Sequence, residues 1–132
     1  MNPDPLRHFA TIAFVLAGLV NLYPLIGVLG ADNLHSLYGV TTRNADVLLL
    51  LRHRAVLFGL LGVLLIVAAF RPAWRRIALI AGLTSMATFL FLAFPLGDRT
   101  KALQQVFWVD LVAVLVLVAG AWLSGFSGKK PA

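Results

Sequence analysis

Asp110, Arg52, His53 and Arg54 are the residues of this chain best equipped for chemistry, because each sets an ionisable group inside an otherwise apolar run. An aspartate can exchange a proton or neutralise a cation, a histidine can shuttle a proton near neutral pH, and an arginine offers a planar fork of donors to phosphate or carbonyl oxygens. Asn21, Ser85, Thr88, Gln104 and Gln105 add neutral hydrogen-bonding groups in similar surroundings. No second carboxylate lies beside Asp110 for acid/base pairing, and there is neither a G-x-S-x-G elbow nor a glycine-rich phosphate loop. The chain has no cysteine, which excludes disulfides, thiolate catalysis and cysteine-held metal centres. His8, His35 and His53 lie far apart without i,i+4 spacing, so no metal site is expected. The residues therefore point to a polar cluster and to no assigned catalytic residue.

The elements that must carry these groups are membrane helices. Of the 132 residues 61% are hydrophobic and 12% charged, against about 25% charged in a soluble domain, and the mean hydropathy is +0.93. Four apolar stretches, about residues 9–29, 47–70, 74–94 and 102–122, are each long enough to cross a hydrocarbon core about 30 Å thick. They leave no room for a further domain, so residues 1–132 read as one transmembrane domain. Strands are excluded, because the runs lack period-2 alternation and are too long for barrel strands. Short links predict an all-α, up-down-up-down four-helix bundle. Residues 31–38 read as a short interfacial helix ended by Gly39, after which Thr42 or Asn44 caps the second membrane helix. Pro24 is expected to kink the first helix beside Asn21. Residues 127–132 read as a disordered tail.

Basic residues sit at the ends of the apolar runs and form no basic face with interleaved aromatics, so the net charge of +6 is a topology signal and nucleic acid is not a partner. Arg7, Arg71, Arg75, Arg76, Lys129 and Lys130 share one side; Arg43, Arg99 and Lys101 lie on the other. Six against three places both termini in the cytoplasm of a bacterial inner membrane. The competing reading of the first segment is a cleaved signal peptide. Its apolar run is, however, longer than the usual core of about 7 to 15 residues.

A charge within a membrane helix costs about 2.5 to 3.5 kcal/mol on insertion scales, which makes each one a functional candidate. At a 1.5 Å rise per residue, Arg52 lies about 9 Å below Asp46 and Asp110 about 12 Å below Ala102, so the two share a depth in the outer half. Asn21, Ser85 and Thr88 fall at the same level, whereas the inner halves are nearly pure Leu, Val, Ile and Ala. Three stripes of small residues mark inward faces: Arg52, Ala55, Gly59, Gly62; Asp110, Ala113, Leu117, Gly120; and Ala78, Ala81, Ser85, Thr88. They set Arg52 against Asp110 as an intramembrane ion pair, with Asn21, Ser85, Gln104 and Gln105 satisfying leftover donors. Arg54, about 200° around the helix, is expected to snorkel outward. Tyr23 and Tyr38 read first as aromatic-belt residues and second as pocket rims, while Trp74, Trp108 and Trp122 read as belt residues, of which Trp108 is placed to reach the polar level.

Leu37-Tyr38-Gly39 before the second membrane helix, with Arg52 followed by Phe58-Gly59-Leu60-Leu61-Gly62, resembles the small bacterial four-helix membrane proteins called DoxX-like. The resemblance implies a small inner-membrane protein, in that group sometimes tied to membrane redox or thiol stress, and supplies no catalytic residue. Similar chains with Arg52-His53-Arg54-Ala55-Val56 have carried the label phosphopantetheine adenylyltransferase. That enzyme needs a parallel sheet and an H-x-G-H-type motif, and this sequence has neither.

The leading functional expectation is a non-enzymatic or accessory protein with an outer-leaflet polar pocket for a membrane lipid, a quinone-like molecule or a partner helix, with no cofactor otherwise required. Two alternatives are an oligomeric small-molecule or ion transporter and a membrane-embedded enzyme using His53 and Asp110. Assembly as a homo-oligomer or with a membrane partner protein fits the first two.

Overall fold

The computed structural model describes residues 5–123. All regular elements among them are helical: α1 (Pro5–Leu22) continuing into a 3-10 segment (Tyr23–Leu29), α2 (Ala31–Tyr38), α3 (Ala45–Phe70), a 3-10 turn (Pro72–Trp74), α4 (Arg75–Ala93) and α5 (Lys101–Leu123). Four stretches are long and apolar enough to cross a membrane: Pro5–Leu29, Ala45–Phe70, Pro72–Ala93 and Lys101–Leu123. The expected tail at residues 127–132 lies outside the described residues, as do Lys129 and Lys130 of the topology count.

Local chemistry explains where the elements change. Pro24 has no amide hydrogen to give to the α-helical ladder, and from Tyr23 the chain tightens into 3-10 geometry rather than making the simple kink expected. Gly39 closes α2 in the left-handed region, φ 66°, and donates its amide to the His35 carbonyl at 2.7 Å. A side chain there would be strained. Of the two cap candidates for α3, Asn44 holds the position: its Oδ1 accepts from the amides of Asp46 (2.9 Å) and Val47 (3.2 Å), while the Thr42 hydroxyl accepts from the Asn44 amide. Asp46 lies in that first turn, where the helix dipole favours a negative charge.

In the bundle α1 packs on α3 and α5, and α4 packs on the same two helices from the other side. The tightest crossing joins α1 and α3, where Gly18 and Gly62 bring the two backbones together. A Cβ built on Gly62 would stand 2.7 Å from the Gly18 carbonyl oxygen. Phe14, Leu65, Met86 and Leu117 fill the centre without solvent exposure. The inward faces of α3 and α5 follow the expected stripes, with Ala55, Gly59 and Gly62 buried on one and Asp110, Ala113, Leu117 and Gly120 on the other. The face expected for α4 is corrected. It buries Ala78, Gly82, Met86 and Ala93, leaving Ala81 and Ser85 half-buried and Thr88 exposed. The glycine at 82 admits the Leu65 and Leu117 side chains, and the fully buried Met86 completes that i, i+4, i+8 row.

Candidate functional site

A cavity of about 220 Å³ lies where α1 passes into its 3-10 segment, beneath α2 and against α3 and α5. Asn21 reaches it from the last turn of α1, Ser36 and Tyr38 from α2, Arg54 and Phe58 from α3, and Gln105 and Asp110 from α5. Asp110 is 93% buried and Asn21 97% buried, so both are withdrawn from bulk solvent and membrane alike. Asn21 is held by donation of its amide to the Ala17 carbonyl at 2.9 Å, one turn back, with the Met86 sulfur 3.9 Å away across the core.

α2 is tied over this cavity by Thr100, the residue that precedes α5. The Thr100 hydroxyl donates to the Tyr38 carbonyl at 2.6 Å and also accepts from the Leu103 amide, capping α5. Tyr38 is buried, and this desolvation raises its phenol above the ordinary pKa; the Arg54 guanidinium opposes the rise and the Asp110 carboxylate adds to it. The phenol is therefore within the field of both charges.

Arg54 is the cation of the site. Its guanidinium lies over three aromatic rings, 4.9 Å from the centroid of Phe58, 5.4 Å from Phe89 and 5.6 Å from Tyr38, a setting that stabilises a cation without a counter-charge. The expectation that Arg54 snorkels outward is corrected by this placement. The expected ion pair of Arg52 with Asp110 is also overturned: no ion pair within 4.0 Å forms among the described residues. Arg52 instead donates through Nε to the Val28 carbonyl at 2.8 Å. The reason is the direction of its stripe. Gly59 on that stripe faces Leu25 of the 3-10 segment, so Arg52, two turns earlier, meets the same segment rather than α5.

The remaining candidates divide. Gln105 joins the cavity, and Gln104 is half-buried outside its lining. Ser85 and Thr88 line a second cavity of about 420 Å³ between α3 and α4, which shares Arg54 and Phe58 with the first. The Thr88 hydroxyl is committed to the Thr84 carbonyl of its own helix at 2.6 Å. His53 is exposed and lines neither cavity, which separates it from Asp110. Phe58 and Phe89 are absent from the expected site residues, and Tyr38 enters them only through its second reading as a pocket rim. Tyr38 and Phe58 sit in the two motifs that prompted the family resemblance, but nothing local distinguishes Phe89 from a lipid-facing phenylalanine.

A third, wholly apolar groove of about 470 Å³ runs between α1 and α5 and shares Val20 and Val109 with the polar cavity. From there it passes Val112 and Ala113 to Val116, about 10 Å along α5. The polar cavity and the apolar groove thus lie side by side, with Val20 and Val109 bordering both. No group of three histidine, cysteine or acidic residues able to hold a metal comes together among the described residues. No family model, no curated protein and no solved structure matches the chain.

Proposed function

We propose that this chain is a small inner-membrane protein, with both termini in the cytoplasm, that binds an amphiphile: the polar head in the Asn21–Tyr38–Arg54–Asp110 cavity and a hydrocarbon tail in the groove between α1 and α5. The observation that carries the reading is the adjacency of the two spaces, which share Val20 and Val109 in their linings. A lipid or a quinone-like molecule has that division into head and chain, and Arg54 can donate to a phosphate or a carbonyl oxygen. The role is accessory and non-enzymatic. The core beneath the cavity, filled by Phe14, Leu65, Met86 and Leu117, favours binding over passage through a single chain. The exposure of His53 favours it over acid/base chemistry shared with Asp110. A DoxX-like assignment agrees with this reading, since Tyr38 of its Leu37-Tyr38-Gly39 motif forms part of the cavity wall.

The test is mass spectrometry of the organic extract of protein purified in mild detergent, wild type beside Arg54→Gln. A lipid or quinone retained in stoichiometric amount by the wild type and lost from the variant is expected. Extracts that match empty detergent micelles for both proteins would overturn the reading.

A further inference from the structure

The polar cavity contains both signs of charge, and they form no direct ion pair. Asp110 is 93% buried and lines the cavity, yet it has no ion-pair partner within 4.0 Å among the described residues. Arg54 lines the same cavity, held over its three aromatic rings. The other nearby arginine, Arg52, is turned away onto the Val28 carbonyl. An anionic head drawn to Arg54 would meet the Asp110 carboxylate, and a cationic head drawn to Asp110 would meet the guanidinium. A neutral head would leave the buried Asp110 carboxylate without an opposite charge in contact. A head that carries both charges, a few bonds apart, answers each with its opposite.

We propose that the occupant is a zwitterionic phospholipid with a primary ammonium, of the phosphatidylethanolamine type, with its phosphate on Arg54, its ammonium on Asp110 and one acyl chain in the groove between α1 and α5. This rests on the amphiphile-binding reading above and narrows it to one headgroup chemistry. The guanidinium suits the phosphate because it can donate two parallel hydrogen bonds to its oxygens. A primary ammonium, unlike a quaternary one, has N–H donors for a carboxylate. A choline head would instead seek an aromatic cage, and the aromatic faces of Tyr38, Phe58 and Phe89 are already taken by Arg54.

The experiment is native mass spectrometry of the delipidated protein titrated separately with dioleoyl phosphatidylethanolamine, phosphatidylglycerol, phosphatidylcholine and a ubiquinone. One equivalent of phosphatidylethanolamine should bind on the order of tenfold more tightly than each of the others, a difference of about 1.4 kcal/mol. Asp110→Asn should abolish the preference over phosphatidylglycerol. Arg54→Gln should weaken all three phospholipids. Arg52→Gln, altered at a side chain bonded outside the cavity, should leave the preference unchanged. Equal binding of phosphatidylethanolamine and phosphatidylcholine, or tighter binding of phosphatidylglycerol or ubiquinone, would overturn the headgroup assignment while leaving an amphiphile site in place. Failure of all four probes to bind the folded wild-type protein would overturn both. The wild-type competition decides the question even if Asp110→Asn does not fold.

Discussion

Replacing Gly62 by alanine should pry α1 from α3 and cost about 1 to 3 kcal/mol of stability, the usual range for overpacking a close-fitted site. The new Cβ would stand 2.7 Å from the Gly18 carbonyl oxygen and 2.9 Å from the Leu22 amide nitrogen, where ordinary contact begins at 3.4 Å. These two obstacles are backbone, so even a shift of the Leu22 side chain, whose Cγ also stands 2.7 Å away, leaves the clash in place. Helix α1 must retreat by about 0.7 Å, the difference between 3.4 and 2.7, and a gap of that size forfeits a quarter to a half of the dispersion energy at neighbouring contacts. Water gives little help in closing the gap, because membrane helices associate mainly through packing. Nor does the better helix propensity of alanine offset the loss, since the separated helices remain helical in the bilayer. The displacement should also reach the cavity: Asn21 lies one turn beyond Gly18 on the retreating helix, so retention of the bound amphiphile should fall together with stability. The assay is unfolding in dodecylmaltoside by titration with sodium dodecyl sulfate, followed by tryptophan fluorescence. Gly97→Ala, where a Cβ meets nothing within 4 Å, is the control. Gly18→Ala combined with Gly62→Ala should cost less than the sum of the two, because one retreat of α1 relieves both. A Gly62→Ala protein as stable as the control would refute the argument that backbone contact sets the α1–α3 crossing.

Thr100→Val removes both the hydrogen bond to the Tyr38 carbonyl and the cap on the Leu103 amide; a loss of about 1 to 2 kcal/mol is expected, with faster amide exchange along α2, and unchanged exchange there would show that α2 is held by other contacts. For topology, a reporter active only in the cytoplasm and one active only in the periplasm are each fused to the C terminus. Cytoplasmic activity is expected, and periplasmic activity would invert the chain and move the cavity to the inner leaflet.

The membrane helices were legible because length and apolarity determine what can cross a bilayer, the end of α2 because Gly39 suits a left-handed cap, and the start of α3 to within the pair Thr42 and Asn44, both capping residue types. Asn21 and Asp110 were legible as buried residues because polar groups at that depth must be turned inward. The roles of Arg52 and Arg54 were not. Helical periodicity reports the angle between two side chains on one helix, and it correctly set the two arginines apart, but it does not say which neighbour each angle faces. The stripe through Ala55, Gly59 and Gly62 faces α1 and its 3-10 extension; this follows from the Gly18–Gly62 crossing, a long-range contact with no local signal. The inward face of α4 was misread for a different reason. Small residues are so frequent in that helix that Ala78-Ala81-Ser85 and Ala78-Gly82-Met86 are equally regular, and only the packing of Leu65 and Leu117 against Gly82 selects the second.

Arg75 has a consequence for how the protein is made. From the first turn of α4 it reaches back across the short 3-10 turn, donating through Nε to the Ala68 carbonyl at 3.2 Å and through Nη2 to the Ala69 carbonyl at 2.9 Å, while Nη2 also reaches the Thr11 hydroxyl at 3.0 Å. The first two bonds need only seven residues of chain or fewer and close as soon as α4 begins. They also supply partners to buried carbonyls in the last turn of α3, one of which, Ala69, accepts from the Thr11 hydroxyl as well. The bond to Thr11 reaches α1, some sixty residues away. Sequence separation therefore favours closing the α3–α4 bend before α1 docks on it, because the local bonds close the shorter loop.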